Sequence, residues 1–248
     1  MTAAPAARIS AALGIALGLL AAGAAPAAPL YRPAASSADP RDLSGVWWLR
    51  KYNRIIPTVD GTPPPFTEKG KLEWAKRILA EANGVPMADA SSHCWPHGTP
   101  RVMNSPYPLQ IFQTPQEVII AHEVAHNTRF IHMQREHPAQ IKTSFMGDSV
   151  GHWEGDTLVI DTLGVDDRTW IDEQGIIHSN KLHTVERIKK IENGMAIEDV
   201  VTVEDPVYFT KPWKFRDTYA WRPDTRLTEY SCEENNRNAP QNGVTVAR

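Results

Sequence analysis

Three histidines and a glutamate in the middle of the chain form the pattern with the most recognisable chemistry. His122, Glu123 and His126 make a His-Glu-x-x-His string, and His132 follows six residues after the second histidine. On a helix this spacing places two imidazoles on one face, where they bind zinc while the glutamate acts as a general base. The string therefore raises the hypothesis of a zinc metalloprotease-like protein.

The surrounding sequence argues against a helix at this point. Residues 117–120, which lead into the string, are rich in β-branched side chains and favour a strand. In a strand, His122 and His126 lie about 13 Å apart at roughly 3.3 Å per residue, too far to share one metal ion. Arg129 also stands where the metalloprotease pattern needs glycine to turn the backbone. This hypothesis therefore ranks third, and we expect neither a metal nor any other cofactor.

Acid–base chemistry without a metal has candidates in the second half of the chain. His178 and His183 lie among polar and aromatic residues, and Asp172 and Glu204 are carboxylates that can accompany them. A histidine held by a carboxylate in a partly dry pocket can be tuned to transfer protons near neutral pH. These four residues are our candidate catalytic set for a lyase, isomerase or hydrolase. Turn residues and a structural His–Glu pair are the alternative explanation.

The eight tryptophans of the chain bear on the class of ligand. Several stand beside charged residues, a combination that suits a pocket for an apolar or ring-bearing molecule, although core packing also explains them. The candidate substrate-binding residues are Trp153, Trp170, Trp213, Tyr219, Trp221, Asp217 and Arg129. We therefore favour metal-independent chemistry on a hydrophobic or aromatic small molecule. A protein that binds such a molecule without converting it is the main alternative.

The elements that must position these residues are mainly β-strands. From Leu109 onward, short segments alternate apolar and polar residues with a period of two, and turn residues separate them. The predicted strands are 43–49, 109–114, 117–124, 127–133, 150–153, 157–165, 183–191, 195–204, 213–222 and 227–232. One helix is predicted, capped by Thr67 and running to about Ala82. The pattern indicates an antiparallel meander.

The Asn193-Gly194 turn predicts the register of one hairpin, because Asn-Gly is the strongest two-residue hairpin signal. Counting outward from this turn places Lys189 opposite Glu198, a pair of opposite charges that supports the register. The same count places His183 opposite Glu204. The strand pattern therefore pairs two members of the candidate catalytic set.

Fold class follows from the number and order of the predicted strands. The strand at 213–222 presents an aromatic face with one carboxylate in it, formed by Trp213, Phe215, Asp217, Tyr219 and Trp221. Many consecutive strands, one N-terminal helix and a Gly-x-Trp start at Gly45 predict a mainly β protein. Its antiparallel meander closes into a lipocalin-like (calycin-type) barrel. A β-sandwich is the alternative, because both architectures produce the same alternation.

The segment 147–159 reads Gly-Asp-Ser-Val-Gly-His-Trp-Glu-Gly-Asp-Thr-Leu-Val. It resembles, almost residue for residue, the marker segment of a widespread family of exported bacterial proteins of unknown function. The resemblance extends to 100–103, Arg129 with Ile131, 137–138, 179–187, 204–206, 211–213 and 229–232. It implies a β-rich exported domain and a family role for Arg129, but it brings no reaction. Glu233 stands where the pattern has a histidine after the cysteine.

Composition and charge exclude several other classes of protein. Of the 248 residues, 42% are hydrophobic and 22% are charged, as in an ordinary globular protein. The formal net charge is −3, and the chain has no basic run, so nucleic acid is not an expected partner.

The N-terminus predicts export. Residues 1–28 contain one charge, Arg8, then an apolar stretch at 9–22 and small residues suited to signal-peptidase cleavage. The stretch is shorter than the roughly 20 residues of a spanning helix, so no membrane span is expected after cleavage. We predict a signal peptide at 1–28, a flexible Pro/Ala/Ser-rich lead-in at 29–41 and a single β-rich domain at 42–248. The protein is then periplasmic or secreted.

Export also determines how the two cysteines are interpreted. Cys94 and Cys232 are the only cysteines, and in an oxidising compartment an isolated pair most often forms one structural disulfide. Two buried thiols are the alternative. The predicted disulfide ties a central loop to the C-terminal part of the domain.

Overall fold

A computed structural model describes residues 36–85 and 89–232, and every structural statement below concerns those residues. The predicted signal peptide, residues 29–35 of the predicted lead-in and Glu233 lie outside the described residues.

The described residues form a closed barrel of nine strands with one α-helix. The strands are β1 (Gly45–Leu49), β2 (Leu109–Gln113), β3 (Glu117–His122), β4 (Thr128–Met133), β5 (Asp148–Glu154), β6 (Thr157–Leu163), β7 (His183–Ile191), β8 (Ala196–Glu204) and β9 (Trp213–Trp221). Each strand pairs with the next, and β1 also pairs with β9, which closes the sheet. The predicted barrel is therefore confirmed, and the β-sandwich is excluded.

The barrel is mixed rather than wholly antiparallel. β4 and β5 run parallel, with Ile131 opposite Ser149 and Met133 opposite Gly151. Residues 134–147 carry the chain back between these strands, whereas the other neighbouring pairs are antiparallel. The predicted antiparallel meander is wrong at this pair, because alternation along a strand does not specify the direction of its neighbour.

The predicted hairpin register and the predicted helix start, which depend on neighbouring residues in the sequence, are both confirmed. The β7–β8 hairpin has the predicted register, with Lys189 opposite Glu198 and His183 opposite Glu204. The helix α1 (Glu68–Ala82) begins after Thr67, whose side chain accepts a hydrogen bond from the backbone N–H of Gly70. Both features depend on contacts between residues that are close in the sequence.

The helix α1 lies against the barrel wall through a few close contacts. Trp74 stacks on Phe66 with ring centroids 5.5 Å apart. Gly70 is buried, and a Cβ atom there would lie 2.4 Å from the carbonyl oxygen of Tyr208, so glycine permits the close approach. Among the described helices, none has the length and apolar character needed to cross a membrane.

Side chains fill the barrel interior in three zones along the strands. One apolar cluster surrounds Trp47 and Trp221, whose ring centroids are 5.0 Å apart, and a second surrounds Trp213 and Phe215. Between them lies a polar zone, which we call the buried belt: Arg129, Ser149, Thr162, Thr184, Glu186, Asp199 and Asp217. On β9, for example, Asp217 separates the two clusters in the predicted inward-facing row. Burial of apolar area stabilises the fold at about 25 cal/mol per Å².

The described part of the predicted lead-in lies along the barrel. Lys190 Nζ donates a hydrogen bond to the carbonyl oxygen of Ser37 at 2.8 Å, and Ser36 Oγ donates to that of Gly194 at 2.9 Å. Arg41 Nε donates to the carbonyl oxygen of Gly155 at 2.6 Å. Residues 36–41 are therefore fastened to the β5–β6 and β7–β8 turns.

The predicted disulfide between Cys94 and Cys232 is confirmed, with the two Cα atoms 5.6 Å apart. The bond closes a loop with a sequence separation of 138 residues. Cys94 directly follows a short 3-10 turn (Ala90–His93), so the bond anchors this turn to the C-terminal part of the described chain.

Reducing this disulfide should destabilise the protein by about 2–4 kcal/mol, because the bond restricts the unfolded chain. Urea unfolding of the oxidised protein, with and without dithiothreitol, measures the effect. The variant with both Cys94→Ser and Cys232→Ser should unfold like the reduced protein and should not respond to dithiothreitol. Equal unfolding midpoints for oxidised and reduced wild type would contradict a stabilising bond.

Candidate functional site

A cleft of about 700 Å³ lies outside the barrel interior and is the candidate functional site, which we call the mouth cleft. Its walls come from α1, from the segment between α1 and β2, and from two loops near Tyr52 and Trp170. Its aromatic side chains are Tyr52, Tyr107, Trp170 and Tyr230, and its central polar ones are Asp89, Ser91, His97 and Arg101. Volume and lining are typical of sites for small molecules.

An ion pair forms the floor of the polar part of the mouth cleft. Both terminal nitrogens of Arg101 bind the carboxylate of Asp89, one of them at 2.8 Å, and Arg101 is only 5% exposed. Burial opposes ionisation of Asp89, but hydrogen bonds and charge from Arg101 outweigh it and lower the pKa of Asp89. The bidentate pair holds the guanidinium in one orientation.

A serine and a histidine lie beside this ion pair. Ser91 Oγ is 3.0 Å from His97 Nε2, and Arg101 Nη2 lies 3.4 Å from the same hydroxyl oxygen. Burial, together with the positive charge of Arg101, lowers the pKa of His97 to about 4. At neutral pH the imidazole is therefore uncharged, and one of its ring nitrogens can accept a proton.

The aromatic side chains of the cleft are held by neighbouring rings and cations. The Arg77 guanidinium lies over the ring of Trp170, 5.4 Å from the ring centroid. Tyr107 and Tyr230 meet edge to face with centroids 5.4 Å apart. Trp170 is 7% exposed and Tyr107 is 36% exposed, so the cleft has both a buried and an accessible aromatic surface.

Charged side chains of opposite sign balance one another at the rim. Arg54 pairs with Glu81, and its Nε atom lies 3.4 Å from Glu173 Oε1. Burial raises the pKa of Glu173. The cleft therefore offers a polar but balanced surface next to its rings, rather than one large field of a single sign.

The structure does not bring the four predicted catalytic residues together. Asp172 is fully buried and accepts hydrogen bonds at 2.9 Å from the backbone N–H groups of Gly175 and Ile176, so it organises a turn. His178 is also buried and contacts Thr169 Oγ1 at 2.9 Å, and burial lowers its pKa. Neither residue lines the mouth cleft.

His183 and Glu204 lie on the outer face of the barrel. His183 Nδ1 is 3.7 Å from Glu204 Oε2, but its Nε2 is closer to Asp161, 3.0 Å from each carboxylate oxygen. Asp161 also contacts His137 Nε2 at 3.1 Å. This network fastens the connection between β4 and β5 to the barrel wall.

The predicted binding residues are distributed over four places. Trp170 lines the mouth cleft, whereas Trp153 lines a separate hollow of about 530 Å³. Trp213 and Trp221 pack in the two apolar clusters of the core. The remaining three lie inside the barrel, in or beside the buried belt: Arg129, Asp217 and Tyr219.

Arg129 is the centre of the buried belt. It makes a bidentate ion pair with Glu186, one contact being 2.9 Å, and both side chains are almost wholly buried. Its other donors reach Ser149 Oγ at 3.1 Å and Thr162 Oγ1 at 2.7 Å.

Three carboxyl groups lie near the positive charge of Arg129 in the buried belt. Asp199 and Asp217 are direct cross-strand neighbours, and Glu186 lies on the adjacent strand β7. Burial and the charges of Glu186 and Asp217 raise the pKa of Asp199 well above its usual range. Burial and the charge of Glu186 raise the pKa of Asp217 to about 7. The belt therefore holds protons at a pH where exposed carboxyl groups have lost them.

Tyr219 completes the interior polar set without facing the cleft. Its hydroxyl donates a hydrogen bond to the carbonyl oxygen of Met103 at 2.9 Å. Burial, with the negative charges of Asp217 and Asp199, raises its pKa well above the usual range. Tyr219 thus ties the barrel wall to the segment that forms the mouth cleft.

The His-Glu-x-x-His string does not adopt the helix that zinc binding requires. His122 ends strand β3 inside the barrel, where burial and the charge of Arg129 lower its pKa to about 3. Glu123 accepts hydrogen bonds from Thr228, and His126 Nε2 accepts one from the backbone N–H of Tyr230. Within residues 36–85 and 89–232, no group of three potential ligands is arranged to hold a metal ion.

The predicted strand at 227–232 is also wrong, because this segment contacts residues 123–126 without joining the sheet. Its residues supply the Tyr230 wall of the cleft and the second cysteine. An irregular segment of this kind satisfies its backbone through side chains such as Glu123, which local alternation does not reveal.

Sequence reasoning missed the polar centre of the cleft. Asp89, Ser91 and His97 lie in an irregular, proline-rich segment with no metal or nucleophile spacing, and they meet only through the path of the loop. Two features of the sequence indicate this segment. Cys94 lies within it, and Arg101 belongs to the Pro-Arg-Val-Met part of the family resemblance.

No family model matches the chain, and no curated protein matches it. Among solved structures, 43 chains match. One of these is named "REP1-NXSQ fatty acid transporter"; it is 12% identical, and the alignment covers 73% of this chain and 96% of that chain with a TM-score of 0.35. A TM-score of this size supports no inference about a ligand.

Proposed function

We propose that this protein binds a small ring-bearing molecule with polar substituents in the mouth cleft. The observation that carries the proposal is the joint presence of aromatic rings and a fixed polar centre around one space of about 700 Å³. A site of this kind recognises a ring by its aromatic walls and the orientation of the ring by a few placed donors and acceptors. Arg101, held by Asp89, and the neutral His97 are those groups.

The charge of the cleft narrows the class of ligand. Arg54 and Arg101 are both paired with carboxylates, so binding a strongly charged molecule would compete with existing ion pairs. Neutral rings that carry hydroxyl, carbonyl or ester groups fit the balance better. Phenol, 4-hydroxyacetophenone and methyl benzoate are suitable probes, with benzoate and benzylamine as charged comparisons.

Substituting Tyr107 with alanine should weaken binding of such rings about tenfold, because an aromatic contact contributes about 0.5–1.5 kcal/mol beyond its buried area. Isothermal titration calorimetry with the three neutral probes measures the change. Tyr107 is 36% exposed, so its replacement should leave the fold intact.

Phe130→Ala is the matched control, because Phe130 is a similarly exposed ring, 50% accessible, on the outer face of β4. This variant should bind the probes like wild type. Failure of every probe to bind wild type, or equal weakening by the two substitutions, would contradict a site in the mouth cleft.

We further propose that the protein works outside the cytoplasm after removal of the segment 1–28, as the sequence and its family resemblance predict. The disulfide between Cys94 and Cys232 supports an oxidising compartment. Mass spectrometry of the protein from the periplasmic and secreted fractions tests both points, because it identifies the N-terminal residue and shows whether residues 1–28 have been removed. Acid–base chemistry through Asp172, His178, His183 and Glu204 receives no support from their separate positions.

A further inference from the structure

We propose that Ser91 is the nucleophile of an acyl-transfer site in the mouth cleft, with small esters of aromatic alcohols as its substrate class. The inference rests on the proposed function, because the same cleft binds the ring of the ester. It adds a reaction to binding and names the atoms that perform it.

The geometry around Ser91 meets the first requirement for a serine nucleophile, a base within hydrogen-bond reach. His97 Nε2 is 3.0 Å from Ser91 Oγ, within the range in which a proton moves directly between the two atoms. His97 is half-buried and next to Arg101, which together lower its pKa to about 4, so the imidazole is neutral at pH 7 and has a lone pair to accept that proton. The hydroxyl thus has a base available without any prior change of protonation.

The second requirement is a positive group where negative charge develops. Arg101 Nη2 lies 3.4 Å from Ser91 Oγ, and the same nitrogen donates to Asp89 Oδ2 at 2.8 Å, so the guanidinium is fixed beside the hydroxyl. An ester carbon bonded to Ser91 Oγ would carry its oxygen into the field of this cation. Donors fixed in advance stabilise such an oxyanion most effectively, because they need no reorganisation.

The reaction balances with water as the only co-reactant. Ser91 Oγ bonds to the ester carbonyl carbon, and its proton passes to His97 Nε2. The carbon–oxygen bond to the aromatic alcohol breaks, and that alcohol leaves with the proton from His97. Water then attacks the acyl-serine, returns a proton through His97 to Ser91 Oγ and releases the carboxylic acid.

Two features of the cleft favour esters of aromatic alcohols. Ser91 and Tyr107 line the same space, and Tyr107 is the accessible ring, so a leaving group with a ring can contact it while its ester carbonyl reaches the hydroxyl. The charges at the rim are paired, which suits a neutral substrate. Phenyl and 4-nitrophenyl acetate belong to this class.

The test uses the mature, oxidised protein with 4-nitrophenyl acetate and, separately, a fluorophosphonate that labels activated serines. We expect release of 4-nitrophenol and a covalent adduct that peptide mass spectrometry locates on Ser91. Ser91→Ala should lower both by at least 100-fold, whereas Ser44→Ala, at an exposed serine outside the cleft, should leave both unchanged. Labelling that persists in Ser91→Ala, or no adduct and no hydrolysis with wild type, would overturn the proposal.

The dependence on His97 provides an independent readout. His97→Asn should slow acylation by about 100-fold, in the range seen for general bases, whereas His152→Asn at an exposed histidine should not. The wild-type acylation rate should be nearly constant from pH 5.5 to 8, because His97 is already neutral, while a serine without a base reacts faster at each higher pH. A steady increase with pH in wild type would contradict the role of His97.

Binding of phenol and methyl benzoate by calorimetry separates this proposal from the proposed function. If wild type and Ser91→Ala bind these probes but wild type neither forms the adduct nor releases 4-nitrophenol, acyl transfer is excluded and ligand binding stands. If the probes do not bind to either protein, the proposed function fails, and acyl transfer in this cleft fails with it.

Discussion

Replacing Arg129 with methionine should destabilise the folded protein by about 3–5 kcal/mol at neutral pH, because it leaves a buried carboxylate without its cation. Arg129 and Glu186 are 1% and 0% exposed, so water cannot solvate the carboxylate that remains. Arg129 is also the one cation that faces the buried belt among the described residues, and Asp199 and Asp217 lie close to Glu186. A loss of this size is a large part of the roughly 5–15 kcal/mol of a typical domain.

Urea unfolding at pH 7 measures the effect, and a second substitution shows its cause. The double variant Arg129→Met with Glu186→Gln removes both charges, so it should recover most of the stability lost in the single variant. This comparison remains informative if the single variant does not fold. A double variant no more stable than Arg129→Met would show that packing, rather than the unpaired charge, determines the loss.

Arg187→Met is the matched control for this experiment. Arg187 is the next residue along β7, but it faces outward and pairs with Glu154 at 2.7 Å, with side chains 42% and 49% exposed. Exposed ion pairs contribute little to stability because water and salt screen them. The control should therefore unfold close to wild type, and an equal loss in the two arginine variants would contradict a special role for the belt.

Replacing Asp217 with asparagine should remove a pH dependence of stability worth about 4 kcal/mol between pH 4 and 7. Burial and the charge of Glu186 raise the pKa of Asp217 from its ordinary value of 3.8 to about 7 in the folded protein. The folded state therefore binds this proton more tightly than the unfolded state. The resulting stability is fully present below about pH 4, and it is lost progressively as the pH rises to about 7.

The measurement is urea unfolding of wild type and Asp217→Asn at intervals from pH 4 to 8. The difference between the two proteins reports Asp217 together with its effect on the pKa of Asp199, because the groups outside the buried belt are common to both. The stability of the variant relative to wild type should rise by about 1.4 kcal/mol per pH unit up to pH 7 and then level off. Any cost of the buried amide is a constant offset, so it does not alter this slope.

Asp224→Asn serves as the control, because Asp224 is exposed after the end of β9. Its difference from wild type should not change over the same pH range. Carbon-13 NMR of the Asp217 carboxyl group gives a direct check, with a midpoint near pH 7. A midpoint near 4, or parallel stability curves for wild type and Asp217→Asn, would contradict proton retention in the belt.

Only part of the buried belt could be predicted from the sequence. The inward row of β9, with Asp217 among aromatic residues, was predicted from alternation and is confirmed. The shared charge with Glu186 and Arg129 could not be predicted, because those residues lie on strands β7 and β4 and meet only across the closed interior. Alternation along a strand indicates on which face of the sheet a side chain lies. It does not identify the residue that compensates the charge of that side chain.

The chain by itself determined the elements whose physics is local. Thr67 caps a helix because its side chain reaches a backbone N–H three residues away, and Asn193-Gly194 sets the β7–β8 register because the turn admits few backbone conformations. The pairing of Cys94 with Cys232 followed from there being no other cysteine. Each of these features has few alternative arrangements, and each is confirmed.

Tertiary structure decided the direction of β5 and the composition of the cleft. β4 and β5 pair in parallel because residues 134–147 return along the barrel, a path fixed by contacts such as His137 with Asp161. Ser91 and His97 meet through the path of their own loop, and Trp170 joins them in the cleft from a loop more than seventy residues away. Local periodicity carries no information about such distant partners, because closure of the whole sheet sets their separation.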